Sequence, residues 1–209
     1  METEDAIRAR STPRAFDPER GLDAEEVREL VALACRAPSS FNLQPWRFVV
    51  VEDPDARARL VELSQEVRLG QAPVVLVVLG DLRANEDLAE ALVPSVERGD
   101  LDPDQARAWA EQADRLCADP RRARDEATRS AGMAVATLML AATSRGLTTL
   151  VRADFDLDGV REAFGVTNRF LPVALVALGH PAAGEPGPQK VRRGLGHSMV
   201  EGDARELGS

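Results

Sequence analysis

The 209-residue chain has no tyrosine and only 4% aromatic residues, so leucine, valine and alanine must fill its core. It has two cysteines, Cys35 and Cys117, and two histidines, His180 and His197. Neither pair stands at metal-ligand spacing, and neither histidine falls in a serine–histidine–aspartate order, which argues against a zinc site and a hydrolytic triad. No apolar run reaches the roughly 20 residues of a membrane span. The start, METEDAIRAR, is charged and lacks the apolar stretch of a secretory signal. A soluble, cytoplasmic protein without a membrane partner is expected. Basic excess is missing as well: the formal net charge is −9, which disfavours nucleic acid as a partner. A glycine-rich dinucleotide fingerprint of the Rossmann type is also absent.

What is present is an alternation of helical and strand patterns. A first helix is expected over Glu4–Ala9, ended by Pro13, which leaves Thr12 extended. Asp23 caps a second helix, with Glu26 three residues on and Leu22 and Val27 placed as a hydrophobic staple. Strands are expected over Arg47–Glu52, Pro73–Leu79, Thr148–Val151 and Leu171–Leu178. The run PVVLVVL in the second of these suits a strand buried on both faces. Helices are expected over Ala56–Val67 and Leu157–Phe164. Residues 82–130 read as a polar, helical insertion interrupted at Pro94, Gly99–Pro103 and Pro120. Gly132–Ser144 reads as an apolar helix without a polar face, which suits a central position and contact with a second copy. Residues 181–209 are expected to form an extended arm, beginning with the Pro/Gly-rich PAAGEPGP. The pattern gives one α+β domain over residues 1–209: an α/β sandwich with a central mixed sheet flanked by helices.

Two basic clusters stand at opposite ends of this acidic chain. Arg10, Thr12 and Arg14 share one face of an extended segment, and Lys190 and Arg192 share one side of the arm. Guanidinium groups suit a phosphate dianion or the anionic edge of a reduced ring; the same residues equally describe solvated tails. Pro38, Ser39, Ser40 and Asn42 place two hydroxyls and an amide in a turn after the second helix, which can contact a polar ligand or simply end the helix. Gln71, before the buried strand, is a weaker candidate of the same kind.

Five segments in order, RSTPRAFDP (Arg10–Pro18), APSSFNLQPWRFVVV (Ala37–Val51), APVVLVV (Ala72–Val78), GLTTLV after the apolar helix (Gly146–Val151) and KVRRGL (Lys190–Leu195), resemble the FMN-dependent nitroreductase family over nearly the whole chain. The resemblance implies a homodimer with two FMN sites at its interface, each drawing on both chains. It places Arg10 and Thr12 at the ribityl phosphate side, Arg14 at the flavin N1/O2 edge, and Lys190 and Arg192 at the phosphate. Pro38, Ser39, Ser40 and Asn42 would serve the partner's FMN, and Gln71, Val151 and Arg152 would border the ring. Phe41, and Trp109 in the insertion, would shape the substrate pocket beneath a lid formed by Asn85–Arg129. Trp46 is expected in the core. The implied activity is passage of a hydride from NADH or NADPH through flavin N5 to a small, flat electron acceptor, a nitroaromatic or quinone, with ping-pong kinetics and no catalytic side chain. Val151–Asp154 departs from the family, whose glycine there allows close backbone approach. That departure leaves open a specialised dehalogenase or biosynthetic dehydrogenase, or a flavin-binding protein without turnover.

Overall fold

The computed structural model describes residues 1–185, 187–199 and 202. Four strands, β1 (Trp46–Val51), β2 (Val74–Asp81), β3 (Thr148–Arg152) and β4 (Phe170–Gly179), form one sheet in the order β1-β2-β4-β3. Its pairings are all antiparallel rather than mixed. Among the described residues, seven α-helices flank it: α1 (Thr3–Ala9), α2 (Ala24–Ala34), α3 (Pro54–Ser64), α4 (Leu88–Glu97), α5 (Pro103–Cys117), α6 (Pro120–Ser144) and α7 (Leu157–Ala163).

The period of two in the central strands builds the layers. Leu76 and Val78 of β2, with Val176 and Leu178 of β4, face a core completed by α2, α6 and Trp46. Val75, Val77 and Leu175 face the opposite core, with Leu60 of α3, Val160 of α7 and Phe16. A third cluster joins α4 and α5 to Leu43, outside the sheet. Every residue of β2 is buried, as its apolar run requires.

Local signals account for the helix starts. Asp23, Asp53, Asp102, Asp119 and Asp156 each accept a backbone N–H at the first turn of α2, α3, α5, α6 and α7. Two departures from the sequence reading have physical reasons. Pro94 lies inside α4 rather than ending it, because the missing N–H costs one hydrogen bond in a helix whose Leu88 and Leu92 are buried. The apolar helix begins at Pro120, twelve residues before the apolar stretch at Gly132. Its early turns are polar at the surface but bury Ala123, Glu126 and Ala127 on one stripe.

Helix α6 approaches β2 closely: a Cβ built on Gly80 would lie 2.9 Å from Ala127 Cβ. Its other side is less covered. Gly132 and Ala136 are exposed, and Met133, Met139 and Leu140 are half-buried.

Candidate functional site

The segment that follows α1 is extended, and its exposure alternates: Ser11 and Pro13 are buried, while Thr12 and Arg14 are exposed. It is tied to the chain's other end. The Ser11 hydroxyl donates to Gly187 O (2.7 Å), and the Gln189 amide donates to Ile7 O and Arg10 O (2.7 and 2.6 Å). Asp17 N–H donates to His180 O at 3.0 Å, and Phe16 bridges Pro181. Between the joined segments lies a cleft of about 340 Å³, lined by Arg10, Thr12, Arg14, Arg68, Lys190 and Arg192 together with Ser11, Pro13, Glu185, Gly187, Pro188 and Gln189. The two basic clusters of the sequence therefore meet on one cleft.

The cations are not equivalent. Arg68 is clamped by Glu66 through Nε and Nη2 (2.7 and 2.6 Å), and its Nη1 donates to Pro13 O at 2.8 Å. The hydrogen bond from Arg68 outweighs burial and holds the Glu66 carboxyl below the usual carboxylate range, with Arg152 adding to the effect. The same contact raises the Arg68 guanidinium. Arg68 thus fixes the cleft floor and the path of Pro13. Arg14 lies 3.7 Å from the largely buried Glu185 carboxylate. Arg10, Lys190 and Arg192 form no ion pair among the described residues, which leaves their charge for an anion.

The turn after α2 forms a second group, away from this cleft. Pro38 and Asn42 are exposed, and Ser39, Ser40 and Phe41 half-buried. Phe41, Asn42 and Gln44 all adopt positive φ (54°, 57° and 45°). The Ser39 hydroxyl accepts from Gln44 N–H (2.9 Å), while Ser40 donates its N–H and hydroxyl to Glu126 of α6 (3.1 and 2.8 Å). Burial pushes the Glu126 carboxyl up, but hydrogen bonds from Ser130 and Ser40, with the Arg129 charge, outweigh it and leave it below the usual range. The Ser40 hydrogens are thus already used inside the chain.

Phe41 and Trp109 are both packed against the Leu43–Leu88–Ala113 cluster, so the structure brings the two expected pocket residues onto one apolar surface. Gln71 is exposed at the start of the turn into β2 and does not line the cleft. Val151 is exposed on β3, at the sheet edge. Arg152 turns back to donate to Asp154 O (2.8 Å). Trp46 is buried in the core. Sequence reading missed Arg68, Glu126 and Gln189. Glu126 had a signal: it stands on the stripe of Ala123, Ala127, Ser130 and Ala131, where a charge needs partners. Arg68 had only the nearby Glu66, and Gln189 had none.

Among the described residues, no group of three or more His, Cys, Asp or Glu side chains can hold a metal ion, and no helix is long and apolar enough to cross a membrane.

Residues 7–180 match the model of the Nitroreductase family. The chain is 33% identical over 204 residues to Protein DrgA of Synechocystis sp., covering 91% of this chain and 89% of that one. It is 35% identical over 158 residues to an NADH dehydrogenase of Thermus thermophilus, covering 75% and 76% of the two chains. Among solved structures, a protein from Exiguobacterium sibiricum crystallised in complex with FMN superposes with a TM-score of 0.85 at 26% identity, over 96% of this chain and 97% of that one.

Proposed function

The chain belongs to the nitroreductase family, and from that premise we propose that its basic cleft holds the phosphate of FMN and that it is an NADH- or NADPH-dependent oxidoreductase of small, flat acceptors such as nitroaromatics or quinones. The observation that carries the reading is the convergence of Arg10, Arg14, Lys190 and Arg192 from opposite ends of the chain on one cleft. That donor set fits a phosphate dianion, and Thr12 adds a hydroxyl to it. When bound, FMN supplies the redox chemistry, a hydride-accepting N5 position. The chain's part is to fix the phosphate, hold Arg14 near the ring edge and keep water from the apolar surface of Phe41 and Trp109. Donor and acceptor would use that surface in turn, as ping-pong kinetics requires, with α4 and α5 as its cover.

The proposed assembly is a homodimer in which the Pro38–Asn42 turn of one chain completes the FMN site of the other. The turn does not reach the basic cleft of its own chain. Two apolar surfaces support the pairing. One is the open face of α6 around Gly132 and Ala136. The other is Val191, Leu195 and Met199 on the arm, exposed to 98%, 69% and 51%. A groove of about 430 Å³ between α2 and β1, lined by Val27, Val31, Phe48 and Val50, suits the partner's arm. Within that assembly, Ser39 and Asn42 have groups to donate to the cofactor, whereas Ser40 can only accept. Gln71, Val151 and Arg152 are proposed to border the ring, with Arg152 the one fixed to its own loop.

A specialised reductase or dehydrogenase is the second reading. The glycine-free Val151–Asp154 loop, held by the Arg152–Asp154 contact, favours it.

The test is the visible spectrum of the purified protein, titration with FMN, and bleaching of bound flavin by NADH and by NADPH. A yellow protein bleached by either nucleotide and reoxidised by a quinone is expected. A colourless preparation that takes up no added FMN overturns the reading.

A further inference from the structure

Glu126 is a charged side chain buried in helix α6, 4% exposed, whose two oxygens each receive two donors. Oε1 accepts from Ser40 N–H (3.1 Å) and the Ser130 hydroxyl (2.7 Å). Oε2 accepts from the Ser40 hydroxyl (2.8 Å) and Arg129 Nη1 (2.6 Å). Arg129 and Ser130 come from the same helix, one turn on. Arg129 balances the charge and orients the carboxylate toward Ser40 without the loop, and Ser130 adds a bond within the helix.

Ser40 opens a turn that is costly to hold. Phe41 sits at φ 54°, ψ 20°, and Asn42 at φ 57°. A left-handed aromatic residue is disfavoured on its own and persists only where its surroundings impose it. If the anchor is lost, Ser40 keeps no partner for its N–H, and the turn can relax toward extended backbone. That would swing Phe41 away from the apolar cluster of Leu43, Leu88 and Ala113, against which it packs.

We propose that Glu126 is a positioning residue that holds the Ser40–Asn42 turn in the one conformation able to meet FMN and acceptor. The flavin half of this inference rests on the proposed function; the turn half does not.

Two measurements on the full-length protein test it. The first is amide hydrogen exchange of the peptide covering residues 39–46, without added FMN. The second is the FMN dissociation constant. Glu126→Ala should speed exchange in this peptide while the β2 and β4 peptides stay protected, and should weaken FMN about tenfold, the scale of a lost charge-assisted hydrogen bond. Glu126→Gln should recover most of the affinity, because its amide can accept from Ser40 N–H and donate to the hydroxyl. Ser130→Ala removes a bond to the same carboxylate inside α6; it should lower thermal stability yet leave FMN affinity and loop exchange near wild type. If Glu126→Ala does not fold, Glu126→Asp, one methylene too short for Ser40, carries the same expectation.

Unchanged loop exchange overturns the inference. So does faster exchange with unchanged FMN affinity, or an equal loss of affinity in Ser130→Ala. A wild-type chain that takes up no FMN overturns the cofactor assignment instead, and the exchange data then decide the turn in either direction.

Discussion

At the scale of single residues, the chain separates charges that are satisfied from charges that are waiting. Asp81 is fully buried, held by both donors of Arg169 (2.9 Å each) and by Arg47 at 3.2 Å, and it also accepts Arg83 N–H. Those contacts, with Asp87, push the Arg169 guanidinium further up. Asp81→Asn strands several donors and should cost about 3 kcal/mol, seen as a thermal midpoint lower by roughly 6–12 °C. Arg10, by contrast, should matter little for folding. Arg10→Ala is expected to keep the melting temperature and to weaken FMN about tenfold, with an affinity less sensitive to salt than that of the wild type.

Two carboxyls contribute to the acid behaviour. Glu66 and Glu126 both titrate below their ordinary 4.5 in the folded chain. Their contribution is complete above pH 4.5. As pH falls through 4.5 the unfolded chain takes up protons first, and that stability is lost down to the lower folded values. Urea midpoints should therefore drop below pH 4.5, and a Glu66→Gln/Glu126→Gln chain should show a shallower decline. Arg10, Arg14, Lys190 and Arg192 of the cleft were legible as types and spacings, whereas Arg68 was not. Which of the cations are paired was not, because Glu66 and Glu185 act through contacts that spacing alone does not reveal.

At the scale of elements, backbone geometry makes two sharp demands. Gly80 lets α6 lie against β2, and an alanine there would overlap Ala127, including its backbone. Gly80→Ala should cost about 1–3 kcal/mol, measured by chemical denaturation. Gln65 ends α3 in the left-handed region at φ 53° and is exposed. Gln65→Gly should raise stability by about 0.5 kcal/mol even after its bond to Glu62 O is lost. Strands were legible because runs such as PVVLVVL admit few other placements, and their ends fell within two residues. Helix α6 was only half legible: its first three turns are polar at the surface, and what engages the buried Glu126 is Ser40, far away in sequence.

At the scale of the whole molecule, the open face of α6, the apolar arm and the α2–β1 groove argue for a pair of chains. Leu195→Asp with Val191→Asp should shift sedimentation from dimer toward monomer on dilution and should lower FMN occupancy in parallel. Retained dimer with full occupancy would remove the arm from the proposed interface. The meeting of the two basic clusters could be named as a possibility from the sequence, but not decided, because it depends on how β4 delivers residues 180–192 beside the segment after α1.

That meeting has a consequence for synthesis. Arg10 and Arg14 of the cleft are made before β1, and Lys190 and Arg192 only after β4. A nascent or prematurely ended chain can complete its sheet and still offer no complete grip on a phosphate. On the proposed role of the cleft, phosphate capture waits until Lys190 and Arg192, which follow β4, have been made.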